Sequence, residues 1–125
     1  MEVKFFICEI CGNIVEKARD SGIDVICCGQ PMTRIVANTE ENVALEKHIS
    51  VVSAEGDKLK IQVGSILHPM IDKHFIEWIL IVTPKSVKRY PLKSGDEPII
   101  YIPKEDNIEV YAYCNVHGLW KLENK

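Results

Sequence analysis

No stretch of this chain is apolar for long enough to cross a bilayer: its most apolar segment, "WILIV" at 78–82, falls far short of the ~20 residues a spanning helix needs and reads instead as a buried strand. Neither sign of charge is in excess. Fifteen basic residues face 18 acidic ones, a net charge of −3, which excludes nucleic-acid or membrane binding by bulk charge. The opening "FFICEICG" is too short for an export signal and is broken by Glu9, so the chain is expected in a reducing cytoplasm. Cysteines there serve metals or catalysis more often than disulfides. There are five of them, an odd number, and complete pairing within one chain is excluded. Internal repeats and low-complexity segments are absent too.

What the chain does have divides near 37–43, "ANTEENV". Before that polar stretch, glycines and paired cysteines punctuate segments with too little apolar content for a core, and so small a piece usually needs a staple. After it come runs alternating with period two: "ISVVSA", "KLKIQVG", "FIEWILIVT", "PIIYIP" and "IEVYAYC". Turn signals separate them at "EGDK", "TPKS", "KSGDEP" and "PKEDN". Short strands at this spacing, with no helical pattern between them, predict an antiparallel β-sandwich or barrel. "NIVEKARDSG" resembles a helical turn, but Gly12 and Gly22 bound it, so it is read as hairpin and loop.

Four of the cysteines lie in the first part. Cys8 and Cys11 in "CEICGN" have the spacing of a metal knuckle, where a tight turn brings two sulfurs to one ion. Cys27 and Cys28 are adjacent, and neighbouring side chains on a strand point to opposite faces. Both reach one ion only if the backbone kinks, for which Gly29 is the natural device. The alternatives are two buried thiols or a vicinal disulfide. Four thiolates in a piece without a core favour a tetrahedral site, and ligand type leaves iron and zinc both open.

The remaining cysteine and all four histidines fall in the second part: His48 in "EKHISV", His68 in "ILHPM", His74 in "DKHFIEW", and Cys114 with His117 in "CNVHGLW". Each histidine stands at a strand edge or in a turn. His68 and His74 flank one short loop, and Cys114 and His117 form C-x-x-H, a pairing able to chelate one metal. Four imidazoles and one thiolate suit iron. With the histidines around an equator and the sulfur below, a sixth position stays open, whereas structural zinc closes its shell at four ligands.

These segments, in this order, resemble desulfoferrodoxin, the two-iron form of superoxide reductase. "CEICGNIVE" and "VICCGQPM" are similar to its desulforedoxin-type N-terminal domain; "EKHISVV", "ILHPM", "HFIEWI" and "YCNVHGLWK" are similar to the segments around its catalytic iron. The resemblance implies a mainly β chain: a rubredoxin- or desulforedoxin-like metal-knuckle domain at 1–37, then an immunoglobulin-like β-sandwich at 38–125 that dimerises with its twin. It implies one iron on Cys8, Cys11, Cys27 and Cys28, with zinc possible there. It implies a second iron on His48, His68, His74 and His117, with Cys114 as axial thiolate. Lys47 would steer and protonate, and Glu46 would fill the sixth position after product leaves. The family commonly has proline two residues after its first histidine; this chain has Ser50.

The implied activity is one-electron reduction of superoxide to hydrogen peroxide without release of dioxygen. A rubredoxin-type protein would supply the electron, and the four-cysteine iron would store or relay one. Trp78 and Trp120 are expected in the core or the site wall. The alternative is a non-catalytic electron carrier of rubredoxin type, which explains four thiols and leaves the histidines and Cys114 without work.

Overall fold

The structure, a computed structural model, describes residues 2–41 and 47–122, and the chain forms two compact units, 1–36 and 37–125. All twelve strands among the described residues pair antiparallel within small sheets.

In the first unit, β1 (Phe5–Ile7) is flanked by β2 (Ile14–Glu16) and β5 (Thr33–Ile35). The hairpin of β3 (Ile26–Cys27) and β4 (Gln30–Pro31) stands beside this sheet in sequence. "NIVEKARDSG" supplies β2 and then a loop, with no helix. Buried apolar side chains here are few: Val3, Phe5, Cys8 and Met32. Their transfer from water cannot offset the conformational entropy of ordering some thirty-odd residues. Lysines pin the loop instead: Lys17 and Lys4 donate to Asp20 at 2.9 and 3.1 Å. Together with the Gly22 N–H they hold its carboxyl well below the usual range.

The second unit is a sandwich of seven strands. One sheet has the order β10 (Ile99–Pro103), β7 (Lys58–Val63), β6 (Ser50–Glu55); the other β12 (Gly118–Leu122), β11 (Glu109–Cys114), β8 (Ile76–Val82), β9 (Val87–Pro91). Three strands over four is the count of an immunoglobulin constant-type sandwich. Alternation puts Ile61 and Val63 of β7, Ile102 of β10, Ile79 and Ile81 of β8, and Val110 and Ala112 of β11 into one buried cluster, which Ile76 joins across the bulge that shifts the β8–β11 register. The five period-two runs all form strands. Two further strands carry no such signal. β9, "VKRYP", lies on an edge with little buried surface, and β12, "GLWKL", begins on a glycine directly behind the C-x-x-H segment.

Register decides where the histidines go. Ser50, the first residue of β6, pairs with Val63, the last of β7. Cys114, the last residue of β11, pairs with both Gly118 and Ile76, the first residues of β12 and β8. Every segment bearing a histidine therefore leaves its sheet at the same end as its paired neighbour. The turn after β7 is tight. Gly64 sits at φ +86°, and a β-carbon there would lie 2.4 Å from the Ile66 carbonyl oxygen and 2.5 Å from that of Lys47. Only glycine lets the chain pass this close to the residue before His48.

Gly64→Ala is accordingly expected to destabilise the second unit by about 3 kcal/mol, from left-handed strain plus overpacking. Thermal unfolding should show the midpoint falling by roughly 10–20 °C; a Tm within about 3 °C of wild type would mean that the turn yields without strain.

Candidate metal centres

The knuckle of the first unit is a backbone loop closed by Cys8 N–H donating to Asn13 O and Gly12 N–H to Cys8 O, both at 2.9 Å. It carries Cys8 and Cys11 toward Cys27 and Cys28, and one ligand atom from each of the four lies within 4.8 Å of all the others. The Sγ atoms of Cys11 and Cys27 are 3.6 Å apart. The kink that lets adjacent cysteines share a centre starts a residue earlier than the glycine: Cys28 itself has φ +53° and Gly29 +77°. None of the five cysteines is in a disulfide.

Sulfur electrostatics say what this cluster wants. The Cys11 N–H points at the Cys8 sulfur from 3.5 Å and is the main influence pulling that thiol down to about 6, against its desolvation. Cys11 and Cys8 in turn push Cys28 up to about 12, and Cys27 is raised by the same neighbours. One negative sulfur is welcome, and the next ones repel it. Four thiolates can share this space only with a cation among them, so the donor set fits a four-sulfur metal centre.

In the second unit the four imidazoles close a ring. Centroids are 4.7 Å apart for His48 and His68, 4.8 Å for His68 and His74, 5.1 Å for His74 and His117, and 5.0 Å for His117 and His48. Successive planes stand edge-on, at 60° to 88°. Cys114 belongs to the same group: its sulfur and one ring nitrogen each of His48, His68 and His74 lie mutually within 4.8 Å, close to the ~4.5 Å between opposite ligands of one ion. His117 reaches the sulfur from the turn that follows Cys114, with its N–H at 3.4 Å and its Nδ1 at 4.0 Å. Four imidazoles about one thiol is a donor set suited to iron.

Neighbours fix each donor. His68 Nδ1 lies 2.8 Å from the Pro69 carbonyl, which holds the proton on Nδ1 and leaves Nε2 for a metal. His48 is wholly buried and stacks on Trp120 at 4.3 Å and 12°, and the Trp120 Nε1–H donates to His117 O. Trp120 is thus a wall of the site. Trp78 stacks on Tyr113 instead, with the Arg89 guanidinium over the Trp78 ring at 4.6 Å. Asn115 holds the His74 loop to the Cys114 loop. Its Oδ1 accepts from Phe75 N–H at 2.9 Å, its Nδ2 donates to Lys73 O, and its own N–H donates to Phe75 O. A β-bulge between Tyr113 and Cys114 falls at the same place. Neither Asn115 nor Glu41, described below, announces itself in the sequence as a site residue, although an amide inside C-x-x-H is a hint. Lys47 directly precedes the buried His48, and Glu46 lies outside the described residues. While His48, His68 and Cys114 are buried, His74 and His117 are half-exposed, so the ring lies near the surface.

The sequence profile described as "Desulfoferrodoxin, N-terminal domain" fits residues 1–35, and that described as "Desulfoferrodoxin" fits residues 40–123. The chain belongs to the desulfoferrodoxin family. It is 41% identical to a desulfoferrodoxin homolog of Archaeoglobus fulgidus, over 95% of both chains. A superoxide reductase of Pyrococcus abyssi is 32% identical, matching 62% of this chain and 85% of its own length. In three dimensions it is similar to the crystal structure of the superoxide reductase from Treponema pallidum, with a TM-score of 0.73, 28% identity and 96% of each chain covered.

Proposed function

We propose that the protein is a superoxide reductase that converts superoxide, one electron and two protons into hydrogen peroxide without releasing dioxygen. The observation that carries this reading is the closed ring of four imidazoles about the Cys114 sulfur near the protein surface. The relatives named superoxide reductase support it. Residues 1–37 are read as the desulforedoxin-like domain and 38–125 as the catalytic domain. Cys8, Cys11, Cys27 and Cys28 would hold one iron, or zinc; His48, His68, His74, His117 and Cys114 would hold the second. An iron held by that second set supplies one electron and an open position for a small anion.

The chain's own residues do the rest. Asn115, Trp120 and the Pro69 carbonyl hold the imidazoles in place, so little reorganises during reaction. The net charge of −3 does not favour an anion at long range. Lys47, next to His48, offsets this locally, because steering depends on the charges lining the approach. Its ammonium is also the proton source for the reduced oxygen species. Glu46 would offer its carboxylate to the second iron once product has left.

The electron comes from a rubredoxin-type donor, and the four-cysteine centre stores or relays one. Thiols outside any disulfide support a reducing cytoplasm. Exposed Ile10, Ile23 and Ile26 of the first unit support a homodimer, which light scattering checks: a monomer would remove that part of the reading.

The test is a superoxide flux supplied to reduced protein. Peroxide should form with no dioxygen evolved, and Cys114→Ser should abolish both activity and the long-wavelength absorption of the oxidised protein while the four-cysteine spectrum persists. Dioxygen evolution by the wild type would instead indicate a dismutase, and no consumption of superoxide a mere electron carrier.

Lys47→Ala should slow the bimolecular reaction with superoxide and flatten its dependence on ionic strength. A rate equal to wild type in low salt would remove Lys47 from the mechanism.

A further inference from the structure

The segment that delivers His48 is held by a carboxylate seven residues upstream. Glu41 Oε1 and Oε2 accept the His48 N–H at 2.9 and 3.0 Å, and Oε2 also accepts the Ile49 N–H at 2.9 Å. Hydrogen bonds to an ionised acceptor are roughly twice as strong as neutral ones, so this clamp fixes the backbone on either side of the His48 Cα. The same carboxylate reaches the ring. Its Oε1 lies 3.9 Å from His48 Nδ1, too far for a direct hydrogen bond, but close enough for its charge to act on a side chain that is wholly buried. The ring's opposite face of freedom is closed by Trp120, stacked at 4.3 Å. With Nδ1 on the carboxylate side, Nε2 is the nitrogen left for the centre of the imidazole ring.

We propose that Glu41 is a positioning residue for the second metal centre. It clamps the chain at His48, selects Nε2 as the donor, and places a fixed negative charge behind that imidazole. This rests on the reading of His48 as a ligand. A carboxylate behind a ligating histidine raises the basicity of the ring, and loss of such a partner typically weakens metal binding by about 10–100-fold. The charge also favours the more oxidised metal, because it lowers the energy of the extra positive charge. Glu41 keeps its side chain only a quarter exposed.

The test uses the full chain loaded with iron, wild type and Glu41→Gln. Glutamine retains an acceptor oxygen for the backbone and loses only the charge and the second acceptor, so the fold is kept. Two quantities are read: retention of the second iron against a chelator, and the midpoint potential of the long-wavelength band. The four-cysteine iron in the same molecule serves as internal control. Glu41→Gln should lose the second iron about tenfold more readily and titrate at higher potential, with the control unchanged. A variant that matches wild type in either quantity overturns the role of Glu41 alone. A wild-type chain that takes up no second iron overturns the ligand reading of His48, and the proposal with it.

Discussion

Antiparallel register is the constraint on which this molecule depends. A strand's beginning always lies beside its antiparallel neighbour's end, so ligands placed at the starts of β6, β8 and β12 and at the end of β11 leave their sheets together. Sandwich packing then fixes the distances between them, because the Ile and Val rows of both sheets interdigitate in one core. The imidazole ring is the consequence. Its members span seventy positions in sequence, and their centroids are about five ångström apart. Close-packed interiors transmit small displacements, which is why the Gly64 turn, set against the Lys47 carbonyl and donating to Ile49 O, bears on the histidine between them.

The two units answer the problem of stability differently. The second buries whole rows of aliphatic side chains and can bring a reactive group to its edge without needing a metal to fold. In the first, four buried apolar residues leave the chain short of favourable free energy, and its thiols crowd until a cation relieves them. On the proposed reading, metal would therefore stabilise the fold of the one and supply the chemistry of the other. A metal bound by four sulfurs and one bound by four imidazoles and a sulfur would, on that reading, meet different demands: a closed shell suited to holding an electron, and a shell near the surface suited to meeting a small anion.

Much of this was legible in the sequence because it is local or periodic. Alternation over "KLKIQVG" or "IEVYAYC" is a property of contiguous residues, and so is C-x-x-C. The edge strand β9 was not legible, since "VKRYP" buries too little to impose a pattern. The kink at the second cysteine pair was placed on Gly29, whereas left-handed backbone begins at Cys28, a residue type that rarely adopts it. Which donors converge was readable from residue types and resemblance. What holds them was not. Glu41 and Asn115 act through contacts whose partners lie between seven and 42 positions away along the chain, and no spacing rule announces such pairs.

The central claim is that five side chains from three separate segments of the chain share one iron. Anomalous diffraction at the iron edge from crystals of the iron-loaded protein tests it most directly. The account requires a single peak in the second unit, enclosed by His48, His68, His74 and His117 and bonded to the Cys114 sulfur. A peak that leaves out Cys114 or any of these imidazoles, or iron confined to the four-cysteine cluster, would contradict it.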